Sequence, residues 1–334
     1  MQKILIVGPA WVGDMVMAQS LYKTLQQRCP DVVVDVLAPV WSGPILKRMP
    51  EVRQHIEMPL THGEFGLGAR YRLGRQLRTE HYDQAIIIPR SFKSALTPFF
   101  ASVPTRTGYK GEMRYGLIND MRRLDKAVLT QTVQRYVALG LPRGAGLPPE
   151  DILRPRLDID TQNQQRLLAE LCLSNERPIV GFMPAAEYGP AKRWPTEYFA
   201  ELAQKLVVQG RQVWLFGAEK DQPLCQQVLD QAGEGVVDLC GKTKLEDVVD
   251  LIALTEQVVT NDSGLMHIAA ATGRKSVVIY GSSSPGYTPP LSDKADVVYL
   301  GLECSPCFER ECPLGHYRCL RDISVNEVFE LCQQ

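Results

Sequence analysis

The sequence predicts an α/β protein built from two doubly wound halves, each a parallel sheet covered by helices. Three observations carry this. Short apolar runs alternate with longer amphipathic stretches, the alternation starts afresh past the middle of the chain, and the interval between is rich in glycine and proline. The 334 residues are 45% hydrophobic, 22% charged and 7% aromatic, enough apolar side chain for two cores and unlike a disordered or collagen-like chain.

The elements follow in order. Lys3-Ile-Leu-Ile-Val7 has the length of a buried strand and stops at Gly8-Pro9; a helical stretch runs through Met17 to Gln27, and Val32–Leu37 and Gln84–Ile88 read as further strands. After Leu141-Pro-Arg-Gly-Ala-Gly-Leu-Pro-Pro149 and a polar Asp158–Gln165 region the grammar repeats. Strands are expected at Pro178–Met183, Gln212–Phe216, Gln257–Thr260 and Lys275–Tyr280, with helices near Thr196–Gln209, Gln222–Ala232 and from Met266. The domains are therefore expected at 1–165 and 166–334, with the active site in the cleft between them at the carboxyl ends of the strands.

Charge and cysteine usage narrow the classes. Thirty-seven Lys and Arg against 38 Asp and Glu leave a net charge of −1, so nothing marks a general nucleic-acid binder. Locally the balance differs. Between residues 90 and 126, Arg90, Lys93, Arg106, Lys110, Arg114, Arg122, Arg123 and Lys126 face only Glu112, Asp120 and Asp125, with Phe99, Phe100, Tyr109 and Tyr115 interleaved. Such a run fits a solvated face, an anionic acceptor or an acidic membrane surface; as acceptor contacts the candidates are Lys93, Arg90 and Arg114. No signal peptide is read at the N-terminus, and no stretch reaches the roughly 18 to 20 apolar residues of a membrane span. Five of nine cysteines crowd into the last 31 residues, unlike a secreted disulfide framework, so a cytoplasmic setting is expected, with any membrane contact peripheral.

Five segments could carry chemistry. Gly8-Pro-Ala-Trp-Val-Gly13-Asp14 turns from a strand into a helix and aims backbone N–H groups at the cleft, but it has neither the middle glycine of a dinucleotide fingerprint nor the Gly-Lys-Ser/Thr of a P-loop. Asp14 fits a helix-start carboxylate and equally a general base. Val258-Val-Thr-Asn-Asp262-Ser263-Gly264-Leu-Met-His267 runs a buried strand into a helix whose first amides suit a diphosphate; the alternative is an N-cap followed by a packed histidine. Lys192, in the loop after Pro178–Met183, is placed to neutralise a phosphate leaving group or to be a solvated loop charge, and an acid after Gln212–Phe216 could hold a ribose diol. Cys304, Cys307, Cys312 and Cys319 give C-x2-C-x4-C-x6-C, compatible with a structural zinc ion or with free or paired thiols.

Taken together, Gly8-Pro-Ala-Trp-Val-Gly-Asp14-Met, Ser91-Phe-Lys93-Ser-Ala, Lys192-Arg-Trp-Pro195, Thr260-Asn-Asp-Ser-Gly-Leu-Met-His267 and Tyr280-Gly-Ser-Ser-Ser-Pro285 resemble, in order and spacing, the ADP-heptose:lipopolysaccharide heptosyltransferases of glycosyltransferase family 9. The resemblance covers nearly the whole chain. It implies a GT-B fold of two facing Rossmann-like domains, the acceptor on the first and the ADP-sugar on the second, with a final helix near Val325–Leu331 packing back on the first. It implies inverting transfer of L-glycero-D-manno-heptose from ADP-heptose to the first heptose of the lipopolysaccharide inner core, heptosyl-Kdo2-lipid A, at the inner face of the inner membrane. By the same resemblance Asp14 is the general base, Lys192 steadies the departing diphosphate, Asp262, Ser263, Gly264 and His267 form the donor phosphate site, Asp221 holds the ribose and Lys93 meets the acceptor. No cofactor is obligatory for such chemistry. The alternatives are another acceptor within the family, a nucleotide-sugar epimerase or dehydrogenase, for which no dinucleotide fingerprint is found, and a non-catalytic nucleotide-sugar or anionic-lipid binding protein.

Overall fold

The computed structural model describes residues 2–61 and 63–334. The chain divides into two compact units, Met1–Pro155 and Arg156–Gln334. The division falls earlier than residue 165 because the Asp158–Gln165 region belongs to the second unit: Leu157 N–H donates to Ala271 O, Asp160 N–H to Asp250 Oδ1, and Asn163 Nδ2 to Asp247 and Asp250.

In the first unit β1 (Lys3–Val7), β2 (Val33–Pro39), β3 (Val52–Met58), β4 (Gln84–Ile87), β5 (Thr105–Tyr109) and β6 (Asp120–Arg122) form one sheet in the order β3-β2-β1-β4-β5-β6. Every neighbouring pair is parallel. In the second, β7 (Ile179–Met183), β8 (Gln212–Leu215), β9 (Val236–Asp238), β10 (Gln257–Asn261), β11 (Lys275–Ile279) and β12 (Ala295–Val298) follow the order β12-β11-β10-β7-β8-β9, again all parallel. Counted from its own first strand, each sheet has the 3-2-1-4-5-6 order of the doubly wound nucleotide-binding fold. The order reverses between β1 and β4 and between β7 and β10. The carboxyl ends of those strands are where such folds open a crevice.

The strands are apolar because both faces are covered. Ile4, Leu5, Ile6, Val258 and Val259 are buried, as are Phe182, Trp194, Phe199 and Leu202 between the second sheet and the helix Thr196–Val208. Each large side chain so buried contributes on the order of 1.5–3 kcal/mol. The last helix, Val325–Leu331, which the resemblance expects on the first half, puts Val325 and Val328 into the second unit's own core with Leu206, and Trp194 Nε1 donates to Ile323 O just before it. Among the described residues no helix is long and apolar enough to cross a membrane.

Candidate functional site

In the first unit the switch point is built where β1 ends. Gly8 sits where a Cβ would come within 3.1–3.3 Å of Met15, Val36 and Ala38, so the chain turns tightly there into the helix Val12–Arg28. Asp14 lies in its first turn, where the helix dipole favours a carboxylate. Tyr136, on the helix Thr132–Gly140, donates its hydroxyl to Asp14 Oδ1 at 3.0 Å. The two helices come this close because Gly140 has no Cβ where Leu21 Cδ1 sits, and the guanidinium of Arg28 caps Gly140 O. Nothing local in the sequence marks Tyr136, which is 122 residues from Asp14.

The expected acceptor cations part company. Arg90 is exposed just past β4, and the half-buried Lys93 donates to Glu64 O at 3.1 Å. Arg114 does not present a cation to a ligand. It is fully buried, its guanidinium donating to the carbonyls of Pro89 and Tyr109 and to Ser94 Oγ, and burial together with the nearby Arg90 pulls it down to about 10. Its work is to pin the loop after β5 to the loop after β4.

In the second unit the loops after β7 and β10 meet. Lys192 Nζ reaches Asp262 Oδ2 at 2.5 Å, with the lysine side chain 17% exposed and the aspartate 5%. The Tyr188 ring lies 5.2 Å beneath the ammonium, and Thr288 Oγ1 donates to Asp262 Oδ1 at 3.5 Å. Asn261, which the sequence reading passed over, holds the lysine loop at both ends: its Nδ2 donates to Pro184 O at 2.7 Å and its Oδ1 accepts from Trp194 N–H at 2.9 Å. Ser263 precedes the helix Gly264–Ala271 in extended conformation, and its hydroxyl makes no capping bond. The Ser263 and Gly264 amides therefore open a helix N-terminus beside the ion pair. His267 is buried on that helix. Desolvation, opposed by Asp262 and aided by Lys192, lowers it from 6.5 to about 4, so it is a neutral imidazole at pH 7. Asp221, at the end of β8, accepts from Ala218 N–H at 3.0 Å, which fixes one carboxylate oxygen in the turn.

A diphosphate would not bind a carboxylate, and the geometry accounts for Asp262 otherwise. Its Oδ2 is the counter-ion of Lys192, one residue before the Ser263 that precedes the helix Gly264–Ala271.

The C-terminal cysteines behave differently from a metal centre. Cys319 is pushed up to about 11 by burial and by the neighbouring Cys312, Cys304 and Cys307, so the four thiols share one region. Yet among the described residues the group whose ligand atoms gather within 4.8 Å is Cys225, Asp238 and Cys240, and those two cysteines form a disulfide. The expected structural zinc on Cys304, Cys307, Cys312 and Cys319 has no converged ligand set. The segment instead braces the lysine loop: Ala191 N–H donates to Arg310 O at 3.0 Å, Phe308 N–H to Ser282 O at 2.7 Å and Tyr188 OH to Phe308 O at 2.5 Å.

A family profile for glycosyltransferase family 9 (heptosyltransferase) matches residues 70–318. The chain belongs to glycosyltransferase family 9. It is 48% identical over 336 residues to lipopolysaccharide heptosyltransferase 2 of Salmonella typhimurium, covering 98% of this chain and 97% of that protein. It is 51% identical over 307 residues to lipooligosaccharide heptosyltransferase 2 of Haemophilus influenzae, covering 89% and 88%. Among solved structures, that of E. coli ADP-heptose lipopolysaccharide heptosyltransferase II matches with a TM-score of 0.89 at 45% identity, over 99% of this chain and 98% of that one. Two Rossmann-like units and a glycosyltransferase activity follow from family membership.

Proposed function

We propose that this family 9 transferase moves L-glycero-D-manno-heptose from ADP-heptose to the first heptose of heptosyl-Kdo2-lipid A, with inversion at the anomeric carbon, working in the cytoplasm on an acceptor held in the inner membrane. The observation that carries the site assignment is the Lys192–Asp262 pair at the amino end of the helix Gly264–Ala271.

The chemistry divides between the units. The acceptor hydroxyl gives its proton to Asp14 as its oxygen attacks the anomeric carbon. The bond from that carbon to the β-phosphate oxygen breaks, and ADP leaves with the electron pair. Lys192, held out by Asp262, and the Ser263 and Gly264 amides receive the charge that builds on the diphosphate. His267, neutral and buried, keeps no competing charge under that helix end. Asp221 retains one carboxylate oxygen for the ribose hydroxyls, Lys93 and the exposed Arg90 face the anionic inner core, and Tyr136 holds Asp14 in place through its hydroxyl. No step passes through a metal.

The test is ADP release from ADP-heptose by the purified protein with heptosyl-Kdo2-lipid A and Kdo2-lipid A offered separately. Turnover with the heptosylated acceptor alone is expected. Turnover with bare Kdo2-lipid A alone would keep the donor site and move the enzyme to the first-heptose step.

A further inference from the structure

The first unit carries a strip of exposed aromatic side chains that the transfer chemistry does not use. On the helix Leu67–Leu77, Leu67, Tyr71 and Arg75 follow one another at four-residue spacing and all are exposed, with Arg72 beside them. Tyr71 meets Phe100 edge-on at 5.2 Å, and Phe100 meets the exposed Phe99 at 5.7 Å. Arg75 stands 6.0 Å from the Tyr71 ring, whereas Arg106, 5.5 Å from the Phe99 ring, is half-buried and its guanidinium donates to the carbonyls of Val103, Leu117 and Gly116. At the other end of the same helix the exposed Phe65 stacks on Phe92 at 6.3 Å, next to Lys93. Aromatic contacts thus flank the helix Leu67–Leu77 at both ends, and the Phe65–Phe92 stack lies at the proposed acceptor end of β4.

The charge is one-sided. Gly66 to Thr79 contains Arg70, Arg72, Arg75 and Arg78 and no acid, in a chain whose net charge is −1. Two of these arginines work inward: Arg70 Nε donates to Phe65 O and Arg78 Nε to Phe100 O, each at 2.8 Å, holding the backbone under the aromatic residues. Arg72 and Arg75 point to solvent. Glu64 and Glu80 are the acids at the two margins; the carboxylate of Glu64 accepts from Thr61 N–H, and that of Glu80 pairs with Lys3 and Arg53. Exposed rings with a polar or cationic rim are what the interfacial layer of a bilayer accepts, since rings settle at headgroup depth and guanidinium groups meet lipid phosphates.

We propose that the face formed by Leu67, Tyr71, Arg72, Arg75 and Phe99 docks on a bilayer surface that contains anionic lipid, with the Phe65–Phe92 stack leading from the bilayer to Lys93. The proposal rests on the reading of the acceptor as a lipid-anchored saccharide, and it says which side of the first unit lies against the lipid.

The experiment is co-sedimentation of the full-length protein with phosphatidylcholine vesicles prepared with and without phosphatidylglycerol, for the wild type, the pair Arg72→Glu/Arg75→Glu and the pair Tyr71→Ser/Phe99→Ser. The wild type is expected to favour phosphatidylglycerol vesicles and to be released by salt. The charge-reversed pair should lose at least tenfold in partitioning to those vesicles. The aromatic pair should lose binding to both vesicle types, and its remaining binding should be salt-sensitive. All four positions are exposed, and matching thermal melts would show the variants folded. With a deacylated, water-soluble acceptor both pairs should turn over like the wild type, and only vesicle-embedded acceptor should be used more slowly. Equal partitioning of the wild type and both variants, or no preference of the wild type for anionic vesicles, would overturn the proposal. The vesicle measurement reads independently of turnover, so loss of activity with every acceptor would strike the functional reading and leave this one standing.

Discussion

Replacing Lys192 by alanine should do more damage than the loss of one phosphate contact, because of what it leaves behind. The ammonium now sits 2.5 Å from a carboxylate that is 5% exposed. Removing it deletes a charge-assisted bond to the diphosphate, on the order of 1.5–3 kcal/mol, and exposes the donor to Asp262. At an effective dielectric of about 20, a carboxylate charge about 5 Å from a phosphoryl oxygen repels it by about 3 kcal/mol, roughly a hundredfold in binding. Lys192→Ala should therefore lower ADP affinity, and kcat/KM with ADP-heptose, by on the order of a thousandfold or more. The double variant Lys192→Ala/Asp262→Asn removes the repulsion while keeping the shape, and should regain roughly a hundredfold over the single variant. Isothermal titration with ADP and steady-state kinetics measure both. A double variant that binds ADP no better than Lys192→Ala would refute the assignment of Asp262 as counter-ion, and a silent Lys192→Ala would refute the leaving-group role itself.

Asp14→Asn should lose kcat by on the order of a hundredfold or more while ADP-heptose still binds, as for removal of a general base. Tyr136→Phe should lose roughly tenfold in kcat, because the carboxylate loses the donor that aims it, and combined with Asp14→Asn it should add nothing. His267 is held near 4 in the folded chain against an ordinary 6.5, so its contribution to stability is complete above about pH 6.5 and is lost as the pH falls towards 4, by about 3 kcal/mol at most; in His267→Gln the melting temperature should fall less between pH 7 and pH 5 than in the wild type. Arg114→Ala should lower the melting temperature, since it orphans buried carbonyl oxygens at about 1–3 kcal/mol each, and the acceptor KM of whatever remains folded should change little.

What was legible in the sequence was whatever local pattern carries. The strands of the sheet centres are continuous apolar runs, so β1, β4, β7, β8, β10 and β11 could be read directly, and the helix Gln222–Ala232 was bounded to the residue. The edge strand β3 was not foreseen because the exposed Arg53, Gln54 and Glu57 break up its apolar pattern, as an exposed edge allows. Its Arg53 in turn answers the buried Asp35 of β2, a pairing that only the register of the two strands creates. Arg114 was misplaced for a related reason: a run of cations reads as a surface, and nothing in the run marks the one member that the fold turns inward onto carbonyl groups. Tyr136 was invisible because its meaning depends on two helices meeting at Gly140.

The same limit explains Asp262. Its motif announces a strand running into a helix start, and that much pointed to an anion site. A carboxylate there contradicts the anion unless a cation from elsewhere meets it, and the sequence holds Lys192 seventy residues away with no sign that the two touch. Asn261 supplies the missing constraint: by bonding Pro184 and Trp194 it fixes both ends of the lysine loop to the residue next to Asp262. The pair is thus set by the β7–β10 contact at the point where the strand order reverses. A substitution that preserves charge but frees that loop, such as Asn261→Leu, which leaves Pro184 O and Trp194 N–H without their partner, should weaken ADP binding though no phosphate contact has been touched. Unchanged ADP affinity in a folded Asn261→Leu protein would mean that the lysine finds its place without the clamp.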